Sequence, residues 1–132
     1  SPVIATINTC APIPELVWAK SFGGNGYGLA METDAAGNVY TTGYFRGTTD
    51  FDPGPGTTIL SAPGNNEVYI SKLDASGNLV WAKSVGGPTD DQGNTITVDS
   101  NGNVYIAGIF RGTADFDPGP GSAPLTSLGG HD

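Results

Sequence analysis

The sequence predicts an all-β fold built from tandem four-stranded antiparallel sheets. Glycine and proline together supply 31 of the 132 residues (21 and 10), which favours frequent turns over long helices. Apolar residues occur in short runs, and no window places them at helical spacing. The chain is also internally duplicated, and duplication at a fixed period indicates a repeat architecture.

Two blocks of sequence carry the duplication. LVWAKSFGG at residues 16–24 returns as LVWAKSVGG at residues 79–87, with 8 of 9 positions identical. GNVYTTGYFRGTTDFDPGPG at residues 37–56 returns as GNVYIAGIFRGTADFDPGPG at residues 102–121, with 16 of 20 positions identical. The repeated unit therefore spans about 64 residues, and the chain holds about two units.

Each unit is predicted to contain four short strands. The second strand of the first unit, at residues 38–46, has apolar side chains at both odd and even positions, as a strand covered on both faces does. The second unit repeats the first two strands, and a copy of the fourth strand opens the series. In chain order the predicted strands are residues 16–22, 28–34, 38–46, 67–73, 79–85, 94–99 and 103–111.

Three junctions between strands share the pattern Asp-x-x-Gly-Asn, beginning at Asp34, Asp74 and Asp99. The aspartate side chain can accept hydrogen bonds from the backbone of its own turn, and the glycine can adopt a positive φ. Each junction is therefore predicted to be a short β-hairpin.

Tandem units of four antiparallel strands with buried middle strands describe the blades of a β-propeller. We assign residues 1–15 to an N-terminal extension or linker and residues 16–132 to the propeller region. Within that region, residues 16–24 form a leading fourth strand, residues 25–87 a complete blade and residues 88–132 an incomplete second blade. Because a propeller has roughly four to eight blades, two blades predict a partial propeller or one completed by several copies.

The repeated blocks resemble a known family. The LVWAK–GG block, the D-x-x-G-N-V-Y hairpin and the T/A-G-x-F strand that follows it resemble the bacterial SBBP-type β-propeller repeats. The GT-x-DFDPGPG extension is similar to variants of these repeats in large secreted or surface proteins. The resemblance covers residues 16 to about 128 and implies a propeller outside the cell. It implies no particular ligand, because propellers support binding and catalysis alike.

The charge and the cysteine content exclude several classes of function. The chain has 13 acidic and 5 basic residues and a formal net charge of −8, so it repels the phosphate backbone of nucleic acids. Cys10 is the single cysteine, which rules out an internal disulfide and a multi-cysteine metal site. No stretch approaches the roughly 20 apolar residues of a membrane span.

The sequence Asp-Phe-Asp-Pro-Gly-Pro-Gly recurs in both units and is the main candidate for a metal site. Its alternate aspartates project to one side of an extended segment, and with backbone carbonyls they offer the oxygen ligands that Ca²⁺ prefers. The alternative is a rigid turn whose carboxylates accept backbone hydrogen bonds or pair with Arg46 and Arg111, four residues upstream. The candidate calcium ligands are Asp50, Asp52, Asp115 and Asp117.

The aromatic residues divide into one candidate for ligand stacking and a larger set for packing. Tyr27 lies between two glycines in a stretch that does not recur, which favours a sugar-stacking role. Trp81 returns at a fixed strand position, which predicts burial between neighbouring blades. For catalysis, the single histidine is His131, and one histidine near the end of the chain does not suggest a triad. We therefore predict that the chain is not an enzyme.

The leading hypothesis is a non-catalytic β-propeller scaffold or interaction module of a secreted or cell-surface bacterial protein. One alternative is a carbohydrate-binding, lectin-like propeller assembled from several chains, and another is a fragment of a larger propeller-domain enzyme. The expected partners are other blades of the same or a neighbouring chain, and a protein or glycan ligand. Because repeat units bury their faces by stacking, the isolated chain is also expected to self-associate or to be poorly folded.

Overall fold

The computed structural model describes residues 2–10 and 12–129, so His131 lies outside the described residues. This part of the chain is all-β and contains no helix. Its strands, numbered in chain order, are β1 (Val3–Asn8), β2 (Glu15–Ser21), β3 (Asn25–Thr33), β4 (Val39–Arg46), β5 (Thr48–Asp50), β6 (Ile59–Ser61), β7 (Glu67–Leu73), β8 (Leu79–Val85), β9 (Gln92–Val98), β10 (Val104–Ile109), β11 (Thr113–Asp115) and β12 (Pro124–Thr126).

The complete blade is a four-stranded antiparallel sheet in the order β3-β4-β7-β8. The bounds of β7 and β8 are those predicted from the sequence, and β3 begins three residues earlier than predicted. Nearly every residue of β4 and β7 is buried, which confirms that the middle strands are covered on both faces. The sheets of the structure are not closed into a propeller ring.

The three Asp-x-x-Gly-Asn turns have the predicted conformation. Gly37, Gly77 and Gly102 have φ values of 82°, 82° and 83°, a region that is unfavourable for residues with a Cβ. In the first turn, Oδ1 of Asp34 accepts hydrogen bonds from the backbone N–H groups of Ala36 and Asn38, both at 3.0 Å. The aspartate thus satisfies the polar groups that the tight turn leaves without a sheet partner.

Four further sheets have two strands each: β1–β2, β5–β6, β9–β10 and β11–β12. The sheet β9–β10 is the predicted beginning of a second blade, and β2 is the predicted leading fourth strand. Strand β1 differs from the expectation of an extension or linker at residues 1–15, since it pairs with β2 along its whole length. The sequence did not reveal it because Val3–Asn8 repeats no other segment, and its partner lies across a proline-containing loop.

The complete blade separates two hydrophobic cores, because adjacent residues of a strand point to opposite faces. Strand β7 contributes Tyr69 to the first core, on the side of β1–β2, and Ile70 to the second, on the side of β9. The first core consists of Ile4, Phe22, Val39, Phe45, Phe51, Tyr69, Leu73 and Ala82. The second consists of Tyr40, Ile70 and Ile96.

Trp81 corrects one packing expectation. The sequence predicted a tryptophan buried between blades, whereas Trp81 is only half-buried at the margin of the second core. Its ring contacts the edge of Tyr40 at a centroid distance of 6.3 Å. Strand β9 packs mainly over β3 and β4, which leaves the outer part of this face, including Trp81, incompletely covered.

Candidate functional site

Each Asp-Phe-Asp-Pro-Gly-Pro-Gly motif forms the tip of a small hairpin, β5–β6 in the first unit and β11–β12 in the second. Oδ1 of Asp50 accepts hydrogen bonds from the backbone N–H groups of Asp52 (3.0 Å) and Thr58 (2.9 Å). Oδ1 of Asp52 accepts a hydrogen bond from the N–H of Gly54 at 2.7 Å. Through these bonds, the backbone of the hairpin tip is held in a turn around the aspartate side chains.

The second motif repeats this geometry. Oδ1 of Asp115 accepts hydrogen bonds from the N–H groups of Asp117 (3.0 Å) and Ala123 (2.8 Å), and Asp117 accepts one from Gly119 at 2.7 Å. The backbone bond from Thr58 is the main reason why the pKa of Asp50 lies below its ordinary value. The bond from Ala123 has the same effect on the pKa of Asp115.

The geometry of these motifs bears on the two alternatives, a calcium site and a rigid turn. Carboxylates that accept backbone hydrogen bonds are the feature expected of a rigid turn. Of the two upstream arginines, Arg46 donates a hydrogen bond from Nε to Oδ1 of Asn66 at 2.5 Å, and a guanidinium nitrogen of Arg111 lies 3.9 Å from a carboxylate oxygen of Asp90. Across residues 2–10 and 12–129, no three acidic, histidine or cysteine side chains gather as metal ligands. Calcium binding at Asp50, Asp52, Asp115 and Asp117 stays a prediction.

Tyr27 is exposed on β3, as the sequence suggested, with 57% of its surface accessible. Its ring stacks on that of Tyr44, the residue opposite it on β4, at a centroid distance of 4.9 Å and an interplanar angle of 22°. Tyr27 and its glycine neighbours also line an open cleft of about 380 Å³ that reaches Pro2. The stacked rings therefore present an exposed aromatic surface on β3 and β4, while binding of a ligand there stays a prediction.

Two buried carboxylates form a pair that the sequence analysis missed. Asp91 is fully buried, and Glu67 is 7% exposed. Oδ2 of Asp91 accepts a hydrogen bond from the N–H of Gly87 (2.7 Å), and Oδ1 accepts one from the N–H of Arg111 (3.2 Å). Asp91 thereby joins the end of the complete blade to the end of β10.

The electrostatics of this pair differ from those of the turns. Burial raises the pKa of Asp91 and that of Glu67, and the charge of Asp91 raises the pKa of Glu67 further. Within the described part of the chain, Oε2 of Glu67 has no hydrogen-bond partner. In the sequence, the feature that indicates burial of Glu67 is its position at the start of a strand with apolar residues at both odd and even positions.

Two comparisons bear on the family of this chain. A family model described as a β-propeller repeat (SBBP) matches residues 80–108, from β8 to β10, and ends before the second acidic motif. An uncharacterized WD repeat-containing protein of Acanthamoeba polyphaga mimivirus is 31% identical over 139 aligned residues, covering 84% of this chain. The chain spans 10% of the length of that relative. In the described residues, no helix is long and apolar enough to cross a membrane.

Proposed function

We propose that this chain, which carries an SBBP β-propeller repeat at residues 80–108, is a non-catalytic interaction module of a secreted or cell-surface bacterial protein. The supporting observation is the contrast between the polar side chains of its turns and the apolar side chains of its outer strands. The aspartates of the repeated turns are hydrogen-bonded to their own backbone, whereas large apolar side chains of the outer strands are exposed. The bacterial and extracellular parts of the proposal rest on the resemblance of the repeat block.

The chemistry of the turn aspartates supports a structural role. Hydrogen bonds from Asn38 hold the pKa of Asp34 below its ordinary value, and Asp74 and Asp99 are held in the same way by Asn78 and Asn103. A carboxylate with a lowered pKa is a poor general acid or base near neutral pH. The exposed apolar side chains, by contrast, are typical of surfaces that bind other proteins.

Cross-linking on intact cells tests the interaction role. Lys20 and Lys83 lie on the outer strands β2 and β8, so a membrane-impermeant, lysine-reactive cross-linker applied to cells that make the natural protein should join them to another polypeptide. Cross-links from either lysine, identified by mass spectrometry of intact cells, are the expected result. Reaction only after lysis would contradict an extracellular location, and the absence of any cross-linked polypeptide would contradict an interaction module.

The stacked pair of Tyr27 and Tyr44 favours glycan binding as a second candidate function. Exposed aromatic faces bind the apolar faces of sugar rings, and 57% of the surface of Tyr27 is accessible to a ligand. A glycan array probed with the labelled chain should give a signal that Tyr27→Ala abolishes and Tyr27→Phe retains. A signal that survives Tyr27→Ala, or no signal on any glycan, would contradict this candidate.

A further inference from the structure

Strands β1 and β2 have the pairing of the third and fourth strands of a blade. In the complete blade, Lys72 of β7 lies opposite Trp81 of β8, and the register shifts immediately after Lys72. In the smaller sheet, Thr6 of β1 lies opposite Trp18 of β2, and the register shifts immediately after Thr6. Trp18 and Trp81 occupy the same position of the repeated block. Strand β1 is therefore the structural counterpart of β7.

Strands β9 and β10 have the pairing of the first and second strands. Tyr105 of β10 lies opposite Thr97 of β9. In the complete blade, the residues 65 positions earlier, Tyr40 of β4 and Glu32 of β3, also lie opposite each other. In the complete blade the other edge of β4 pairs with β7. Within the described residues, β10 pairs only with β9. The free edge of β10 is therefore the position that a third strand occupies in a complete blade.

The two cores show what this position lacks. Three residues of the first core, Ile4, Phe22 and Val39, have repeat counterparts on the side of the second core. These are Ile70, which belongs to the second core, and Val85 and Val104, which line the cavities beside it. Phe45 and Phe51 likewise correspond to Phe110 and Phe116, whose rings contact each other at 5.1 Å. The remaining members, which come from β7 and β8 and have no counterpart on β9–β10, are Tyr69, Leu73 and Ala82.

Cavities mark the place of the missing side chains. One, of about 440 Å³, lies between Ile70 and Trp81 on the complete blade and Val104 and Ile106 on β10. A smaller one, of about 90 Å³, is bordered by Val85 and by the two phenylalanines of the second unit. Both are lined mainly by apolar side chains, so an apolar strand pair would fill them favourably.

The counterparts of the missing side chains are exposed on β1–β2. By the shared register, Val3 corresponds to Tyr69, Ile7 to Leu73 and Ala19 to Ala82. All three are exposed on the face of β1–β2 that points away from the complete blade. Leu16, the counterpart of Leu79, is exposed beside them. The chain thus carries an apolar surface at one end that matches the apolar gap at the other.

We propose that a second copy of this chain docks on the free edge of β10 through its own strands β1 and β2, completing the second blade. The register of β4–β7 fixes the pairs: Ile7 of the second copy lies opposite Val104, Ala5 opposite Ile106 and Val3 opposite Gly108. The contact is head-to-tail, and such contacts close into a ring when the rotation allows it. Each copy supplies two blades, so a ring of roughly four to eight blades contains two to four copies.

One intramolecular contact predicts how the second copy would be held. Oγ1 of Thr41 and Oγ of Ser71 form a hydrogen bond of 2.7 Å, so the side chains of this pair touch across β4–β7. Ile106 and Ala5 occupy the same two positions in the proposed pair. Cysteines introduced at Ile106 and Ala5 should therefore form an intermolecular disulfide, whereas a shift of one residue would point the two side chains to opposite faces.

The first experiment uses this register, in a Cys10→Ser background that removes the exposed free thiol. The double variant Ala5→Cys/Ile106→Cys should give covalent dimers to tetramers under mild oxidation on a non-reducing gel. The matched control is Ala5→Cys/Ala107→Cys, which places the second thiol on the opposite face of β10 and should stay monomeric on the gel. Equal cross-linking in both variants, or a disulfide within one copy, would overturn the proposed register.

The second experiment measures the mass of the chain in solution by light scattering. The unmodified chain should be an oligomer of two to four copies, and Ile7→Lys should convert it to a monomer. Ile7 is 56% exposed within one copy, so its replacement leaves the packing of that copy intact, which a melting curve will check. Ile13→Lys is the control, because Ile13 is 77% exposed and lies outside the proposed contact. A cooperatively melting monomer of the unmodified chain would overturn the proposal.

This inference rests on the proposed interaction role and names one partner for it. The two can fail separately. If the disulfide and light-scattering experiments fail while cross-links to another polypeptide form on cells, the chain is an interaction module that does not pair with itself. If the chain assembles in the proposed register but forms no cross-links on cells, the proposed self-assembly is supported and the extracellular interaction role is contradicted.

Discussion

The indole nitrogen of Trp18 donates a hydrogen bond of 2.9 Å to the carbonyl oxygen of Ala75. This bond joins β2 to the turn between β7 and β8, 57 residues further along the chain. Trp18 also packs against the first core. The sheet β1–β2 is thereby attached to the complete blade by both an apolar and a polar contact. Within the part of the chain that the structure describes, the repeat counterpart Trp81 has only the apolar contact.

Replacing Trp18 by phenylalanine should lower the free energy of unfolding more than the same replacement of Trp81. Both changes reduce apolar contact and remove an indole N–H, but only the N–H of Trp18 donates a hydrogen bond within the described residues. Such a bond contributes about 1 kcal/mol. Urea denaturation of Trp18→Phe and Trp81→Phe, side by side, gives the difference. Equal losses in the two variants would mean that the bond to Ala75 contributes nothing to stability.

The two identical acidic motifs should respond differently to loss of their phenylalanine. Phe51 is fully buried among the rings of Phe22, Phe45 and Tyr69, whereas Phe116 is only half-buried. We expect Phe51→Ala to cost about 3–5 kcal/mol, as for other buried aromatic residues, and Phe116→Ala to cost clearly less. Denaturation in the Ile7→Lys background avoids burial of Phe116 by a second copy. Equal costs would contradict the difference in packing.

The turn aspartates should make the protein sensitive to acid. The pKa of Asp34 in the folded state lies below 3.8, chiefly because the Asn38 side chain donates a hydrogen bond to the carboxylate. A lowered pKa gives stability that is complete above the ordinary pKa and is lost as the pH falls through the folded-state pKa. Asp34→Asn should therefore melt below the unmodified protein at pH 7, with the gap closing as the pH falls below 3.8. A gap that is constant over this range would contradict the assignment.

The buried carboxylate of Glu67 should act in the opposite direction. Because burial raises its pKa above 4.5 in the folded state, ionisation at neutral pH opposes folding, and this cost disappears as the pH falls below the ordinary pKa. Glu67→Gln should raise the free energy of unfolding at pH 7 and have no stabilising effect at pH 4. Glu15→Gln, at an exposed position, is the control. A destabilised Glu67→Gln at pH 7 would show that the carboxylate is favourably paired.

The calcium prediction for the acidic motifs is tested by comparing melting in millimolar Ca²⁺ with melting in chelator. If Asp50 and Asp52 hold an ion, and Asp115 and Asp117 another, a hundredfold excess over Kd should add about 2.7 kcal/mol to the free energy of unfolding for each ion. Calorimetric titration should then show one ion for each motif, and Asp52→Asn should remove one of them. Identical melting in both solutions would leave the motif as a turn that uses its carboxylates to bind its own backbone.

Local patterns allowed much of the blade to be predicted. Strands β7 and β8 have the predicted bounds because both are rich in apolar residues and the turn signature at residues 74–78 separates them. The Asp-x-x-Gly-Asn turns were predictable because the aspartate, the positive-φ glycine and the backbone groups they satisfy lie within five consecutive residues. The exposure of Tyr27 followed from its glycine neighbours and from the absence of a repeat counterpart.

Features that depend on contacts between distant segments were not predictable in this way. Phe51 and Phe116 have identical neighbours in the sequence, and only the sheets that surround them make one buried and the other half-buried. Asp91 lies beside Glu67 because the segment after β8 crosses back over the start of β7. The residues that flank each of them in the sequence do not indicate this contact.

The sequence by itself determined that the chain is a tandem array of antiparallel hairpins, because strand alternation and turn geometry depend on residues only a few positions apart. The tertiary structure decided that Val3–Asn8 is a third strand paired with Glu15–Ser21, and that its outer apolar face has no cover within one copy. The physical reason is that a strand's edge and face are satisfied by whichever segment packs against them. In a repeat protein, several equivalent segments compete for that place.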